Sequence, residues 1–95
     1  NIVWEKIHEL LISSVNDTIG YIRDISVQYN CDKRNIIKNY FNYVIRNKKD
    51  CITPDFINIV EVIMHSNNTN INHLLQYFVI HMQDYYTKNA KGIKN

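Results

Sequence analysis

The 95-residue sequence has few of the residues that interrupt or cross-link a chain: one Pro, two Gly and two Cys. Cys31 and Cys51 are too few and too far apart for a disulfide scaffold or a C-x-x-C motif. Apolar runs stay well short of the about 18 residues that a membrane-spanning helix needs. With 11 basic and nine acidic residues, the balanced charge gives no strong reason to expect nucleic acid or an anionic membrane as a partner.

Hydrophobic residues make up 45% of the sequence, too many for a disordered tail of such modest net charge. The length allows one compact core and not two. The 16 Ile and 14 Asn, set against a single Ala, follow A- and T-rich codons and indicate an A+T-rich genome. We expect one domain over residues 1–87, cut from a longer protein, and a flexible basic tail or linker over residues 88–95.

Because no segment alternates cleanly between apolar and polar residues, the fold class predicted is all-α, a compact four-helix bundle. The apolar positions of the first segment stay in phase at about 100° per residue through Gly20. This predicts one long first helix over about 2–29, bent near 16–20, with two shorter helices as the alternative.

Three further helices follow from their start signals and apolar stripes. Asp32 is placed to cap a second helix that ends near Arg46. Thr53-Pro54-Asp55 supplies an N-cap, a first-turn Pro and a carboxylate, so a third helix begins at Pro54. Its apolar residues cover well over half the circumference, which predicts a short, buried helix at the centre. The last helix is expected over about 70–86.

The sequence shows no arrangement typical of catalysis or metal binding. Cys31 has no indicated partner His, and its neighbour Asp32 opposes a stabilised thiolate. None of the four His has the spacing of a zinc motif. There is no Gly-rich phosphate loop, since Gly20 and Gly92 stand alone. We therefore expect no enzyme, no catalytic residues, no metal and no cofactor.

A protein-binding surface is suggested by apolar residues that lie off the core stripe of their own helix. On the last helix these are Tyr77 and Ile80, flanked by His73. On the second helix Tyr43 borders the core face beside Arg46. Aromatic, Ile and Arg side chains are frequent interface anchors, so these five are the candidate partner-binding residues. The alternative is that the first helix covers Tyr77 and Ile80 inside the domain.

A nucleic-acid interface would need a basic helix face. The candidates lie around the second helix: Lys33, Arg34, Lys38, Arg46, Lys48 and Lys49. At a net charge of +2 a solvated face is the favoured interpretation, and direct nucleic-acid contact is not expected.

Two stretches resemble a known family. Glu9-Leu10-Leu11-Ile12 lies in a Leu-rich first helix, and the stretch 52–60, ITPDFINIV, enters the third helix through a turn, a Pro, an aromatic and aliphatic residues. This layout resembles the Apetala2-coincident domain at the C-terminus of apicomplexan transcription factors. The resemblance implies a nuclear, non-enzymatic module that recruits other proteins, with DNA contact left to a separate domain.

Two other functions remain open at this stage. One is a small viral or exported helical domain, like Bcl-2 proteins, that sequesters host proteins in the cytoplasm. The other is an accessory nucleic-acid binder that uses the basic face of the second helix. The function we expect first is that of a protein-interaction module in a nuclear regulator. It would bind a protein partner and would not associate with a membrane.

Overall fold

The computed structural model describes residues 2–67 and 70–89. Within them five α-helices follow one another, with a short 3-10 turn at Lys49–Cys51 and no strand. The helices are α1 (Ile2–Ser13), α2 (Val15–Gln28), α3 (Lys33–Asn47), α4 (Pro54–Met64) and α5 (Ile71–Lys88). The all-α prediction is confirmed, and the chain folds into a globule with a radius of gyration of 12.5 Å.

The predicted caps of the middle helices are confirmed. The Asp32 side chain accepts a hydrogen bond from the backbone N–H of Arg34 at the start of α3. The Thr53 hydroxyl accepts one from the N–H of Phe56, and Pro54 occupies the first position of α4. Each cap satisfies an N–H group that the first helical turn leaves without a partner.

The prediction of one long first helix is wrong, and with it the count of four helices; the alternative of two shorter helices is confirmed. Ser14 has extended backbone angles (φ −153°, ψ 121°), so α1 ends before it and α2 begins after it. Its hydroxyl accepts a hydrogen bond from the N–H of Asp17 at 3.2 Å, and its carbonyl accepts one from the Thr18 hydroxyl at 2.6 Å. Both helices bury their apolar stripes against α5 and each other, so the periodicity continues across the break and does not reveal it.

The bend was expected near 16–20, but the interruption lies earlier, at Ser14, and α2 is unbroken over 16–20. Gly20 lies inside α2 without a positive φ, and a Cβ placed there would meet no atom within 4 Å. The chain changes direction between α1 and α2 at a single residue, Ser14.

The central helix is α5, and the prediction of a buried helix at Pro54 is wrong. Helix α5 packs against α1, α2, α3 and α4, whereas α4 packs mainly on α5. In α4 only Phe56 and Ile63 are buried, while Ile57 and Val62 are 43% and 45% exposed. Helix α4 therefore covers one side of α5 at the edge of the fold.

The interior is an aromatic cluster around α5. The rings of Phe41 and Phe78 meet edge to face with centroids 5.3 Å apart, and Phe56 contacts Phe41 in the same manner at 5.9 Å. Helix α5 continues two residues beyond the predicted end at Tyr86, to Lys88. Of the predicted tail, residues 90–95 lie outside the described residues.

Candidate functional site

The outer face of α5 carries three of the five predicted partner-binding residues. Tyr77 is 38% exposed, Ile80 is 52% exposed, and His73 is exposed as well. They lie opposite the buried stripe of α5, so the first helices do not cover them. The Tyr77 ring stacks on His81, with centroids 3.9 Å apart and planes 30° from parallel. We call His73, Tyr77, Ile80 and His81 the outer α5 face.

A cleft between α4 and α5 borders this face. It has a volume of about 320 Å³, and its lining includes His81, Asp84 and Lys88 from α5 and Asp55 from α4. Lys88 lies 3.0 Å from Asp84 and forms an ion pair with it. The charged groups of the cleft therefore sum to one negative charge, that of Asp55.

The other two predicted residues lie elsewhere, at the junction of α1 and α3. Tyr43 is only 8% exposed, and its hydroxyl donates to the carboxylate of Glu5 in α1. Burial and this hydrogen bond raise the pKa of Tyr43 to about 12. The interpretation of Tyr43 as an accessible anchor is thus corrected. Arg46 is exposed, and no pocket, hydrogen bond or ion pair of the described residues joins it to the outer α5 face.

A groove at one end of the fold was not predicted. A groove of about 680 Å³ runs between the start of α1, the end of α2 and the start of α3. Its apolar wall consists of Val3, Trp4, Ile25, Tyr29 and Ile36, and we call it the α1–α3 groove. In one continuous helix Val3 and Tyr29 would be about 39 Å apart. The break at Ser14 folds α2 back, so both line the same groove.

A second unpredicted feature is a chain of buried hydrogen bonds across the core. Nδ1 of His8 lies 2.9 Å from the hydroxyl of Tyr40, which lies 2.6 Å from the hydroxyl of Tyr86. Burial lowers the pKa of His8, and the nearby Lys48 ammonium lowers it further. Burial also raises the pKa of both tyrosines well above the ordinary value. Members of this chain are 32 and 46 residues apart, so no local pattern could have indicated it.

The basic residues around α3 form two groups and not one face. Lys33, Arg34 and Lys38 lie in the first half of the helix, and Arg46, Lys48 and Lys49 lie at and beyond its end. Lys38 and Arg46, the nearest members of the two groups, are eight residues apart in α3, which is about 12 Å along the helix axis. Lys48 is also engaged, since its ammonium lies 3.5 Å from the Glu5 carboxylate.

Both cysteines are free thiols, Cys31 exposed and Cys51 buried. In the described part of the chain, no three His, Cys, Asp or Glu residues lie together where they could hold a metal ion. No helix there has the length and apolar character needed to cross a membrane.

No protein-family model, no curated protein and no solved structure matches this chain. The resemblance to the Apetala2-coincident domain therefore stays an expectation.

Proposed function

We propose that this chain is a non-catalytic helical module that binds a protein partner through the outer α5 face. The observation that carries the proposal is the exposure of Tyr77 and Ile80 on the helix that forms the centre of the fold. Single exposed apolar residues are common on protein surfaces. Here an aromatic and an aliphatic residue lie one helical turn apart, and the aromatic ring is already ordered by its stack on His81.

The spacing and charge of this surface define the chemistry of the partner. Apolar anchors three residues apart on one helix suit a second helix laid alongside, with its own apolar residues at spacings of three and four. The negative charge of Asp55 in the neighbouring cleft favours a basic residue beside those anchors. The proposed partner is therefore a basic amphipathic helix.

The resemblance to the Apetala2-coincident domain supports a place for this module in a nuclear transcription regulator whose DNA-binding domain lies elsewhere. The alternative is a Bcl-2-like domain that sequesters host proteins in the cytoplasm. The feature favouring it is the α1–α3 groove, where Trp4 and Tyr29 would contact the bound helix. An accessory nucleic-acid role has less support, because the basic residues of α3 are divided between its two ends.

Photo-crosslinking tests which surface binds. We would place a photoreactive phenylalanine analogue at position 80, at position 29 in the α1–α3 groove, and at the exposed Asp24 of α2 as the control. Each protein is irradiated in nuclear and in cytoplasmic extract, and the crosslinked segments are mapped by mass spectrometry. The proposal expects a basic amphipathic helix joined to position 80 and not to position 24, and the loss of that product when Tyr77→Ser is added.

The remaining outcomes each contradict part of the proposal. A product at position 29 alone would favour the Bcl-2-like alternative. A product at position 80 that contains this same chain would identify self-association. Identical products at positions 80 and 24, or none from either extract, would overturn the interaction proposal.

A further inference from the structure

A pocket of about 500 Å³ lies between α1 and the end of α3, apart from the outer α5 face. Arg46, Lys48 and Lys49 line it together with Asp50, and His8 contributes part of its wall. We call it the basic pocket. The charged lining groups sum to two positive charges, and Glu5 neutralises part of this through its contact with Lys48. Cations near the end of a helix are common because they complement the negative end of its dipole, so their number alone does not define a site.

His8 supplies the second observation, because it is 8% exposed and one of its ring nitrogens is free. Nδ1 is paired with Tyr40, and Nε2 has no partner among the described residues. Every buried side-chain nitrogen and oxygen of those residues has a hydrogen-bond partner. Nε2 is therefore not sealed in the core, and because His8 is among the residues that line the basic pocket, we assign the open side of Nε2 to that pocket.

The hydrogen-bond chain decides whether Nε2 donates or accepts. If Tyr86 donates to Tyr40 and Tyr40 donates to Nδ1 of His8, every hydroxyl hydrogen of the chain has an acceptor. In the reverse direction the Tyr86 hydrogen would have no acceptor among the described residues, and an unpaired donor in the interior is costly. Nδ1 thus accepts, and the proton of the neutral imidazole is on Nε2. His8 presents an N–H group to a pocket lined by three cations.

We propose that the basic pocket binds a phosphoryl group, held by the Nε2–H of His8 and by the side chains of Arg46, Lys48 and Lys49. A phosphoryl group offers several acceptor oxygens to donors that converge from α1 and α3, and guanidinium and ammonium groups are its usual ligands. The volume exceeds that of inorganic phosphate, so a phosphate monoester with a small organic group also fits.

The same arrangement predicts how binding depends on pH. The groups that act on the charge of His8 are Lys48, Glu5 and Glu9, and Tyr40 and Tyr86 bond to or contact its ring. Burial and Lys48 hold the pKa of His8 below its ordinary value. His8 therefore donates as a neutral ring, while a phosphate monoester gains its second charge above about pH 6. Binding is expected to strengthen between pH 6 and pH 7.5, whereas a site that needed an imidazolium would weaken.

The test is a titration followed by NMR, with inorganic phosphate, phenyl phosphate and benzoate as probes at constant ionic strength. Phosphate or phenyl phosphate is expected to shift the His8 side-chain resonances and the Lys48 and Lys49 amides saturably, with a dissociation constant on the order of 1 mM. Tighter binding of phenyl phosphate identifies an ester as the ligand, and tighter binding of phosphate identifies the free ion. Benzoate should bind at least tenfold more weakly, and equal binding would overturn the assignment to phosphate.

Matched variants separate a site from general charge attraction. Arg46→Gln with Lys49→Gln should weaken phosphate binding at least tenfold, and Lys33→Gln with Lys38→Gln, which removes the same charge from the other end of α3, should change it less than twofold. Equal weakening by both pairs, no saturable shift, or a His8 proton found on Nδ1 by imidazole ¹⁵N shifts would each overturn the proposal. Ile80→Asp should leave phosphate binding unchanged, which keeps this test independent of the proposed partner surface.

Discussion

The hydroxyl groups of Thr53 and Tyr85 lie 2.8 Å apart and join the start of α4 to the end of α5. Tyr85 also donates to the carbonyl of Cys51, in the turn that leads into α4. The Thr53 hydroxyl at the same time caps α4 through the N–H of Phe56. One side chain thus fixes both the start of the peripheral helix and its position along the central one.

Thr53→Ala is expected to lower the free energy of unfolding by about 1–2 kcal/mol, the usual effect of losing a cap, since the bond to Tyr85 is lost with it. Thr53→Ser retains the hydroxyl and serves as the control, with a loss well below that of Ala. Urea unfolding followed by circular dichroism measures both. Equal losses for Ala and Ser would mean that the methyl group, and not the hydroxyl, holds this junction.

The break between α1 and α2 gives a test whose sign distinguishes two helices from one. Ser14→Ala removes the cap of α2 and should destabilise the protein by about 1 kcal/mol. Ser13→Ala is the neighbouring control, because Ser13 is inside α1 and its hydroxyl bonds back to the carbonyls of Glu9 and Leu10 on the same helix. That change should be neutral or slightly stabilising. Stabilisation by both changes would contradict the break and favour one continuous helix.

Local chemistry explains which parts of the fold could be predicted from the sequence. The caps Asp32 and Thr53 act on N–H groups two or three residues away, so their signals lie within one short segment. Ser14 and Asp17 form a similar S-x-x-D signal that the continuous apolar stripe obscured. Taken as a helix start, this signal predicts a break at Ser14 and therefore five helices.

The burial of α4 and most of the candidate sites depend on contacts between distant segments. Apolar residues around most of a helix show that it can be buried, but they do not show how many other helices pack against it. Of the described helices, only α5 packs extensively against α4. From the sequence, Tyr77 and Ile80 could be either exposed or covered by the first helix. The positions of α1 and α2 in the fold decide that they are exposed. The α1–α3 groove depends on the reversal of the chain between α1 and α2. The hydrogen bonds that link His8, Tyr40 and Tyr86 depend on the central position of α5.

Gly20 offers a stabilising substitution. It lies in the interior of α2 with helical backbone angles, and a Cβ there meets no atom within 4 Å. Gly20→Ala should raise the free energy of unfolding by about 0.5–1 kcal/mol, because Ala loses less backbone freedom in a helix. A denaturation midpoint below that of the wild type would show that this position needs a conformation that Ala cannot adopt.

Ile80 and its neighbour Val79 form a matched pair on α5. Ile80→Asp adds a charge to the outer face and should change stability by less than about 0.5 kcal/mol. Val79→Asp places the same charge in the core, where Val79 has no exposed surface, and should leave the chain largely unfolded. Thermal unfolding distinguishes them. Unfolding caused by Ile80→Asp would show that the outer α5 face is required by the fold and weaken its role as a binding surface.

The pKa of His8 predicts a loss of stability in mild acid. Burial lowers this pKa in the folded protein below the ordinary value of 6.5, so the unfolded chain takes up a proton first as the pH falls. The contribution of neutral His8 is complete above pH 6.5 and is lost from there down to its folded pKa. Glu5, whose pKa is lowered by its bond from Tyr43, acts in the same direction but only below its ordinary value of 4.5.

Urea unfolding at pH 7.5 and pH 5.5 isolates the His8 contribution, because Glu5 remains ionised at both values. The wild type should be less stable at pH 5.5, and His8→Gln, which keeps a polar side chain of similar length without a titrating group, should lose less between the two values. His65→Gln is the control, since His65 is exposed at the end of α4 and its ring pairs with the nearby Glu61. If the wild type and His8→Gln lost the same stability, protonation of the His8 ring would not be opposed by its hydrogen bond to Tyr40 and its place in the core.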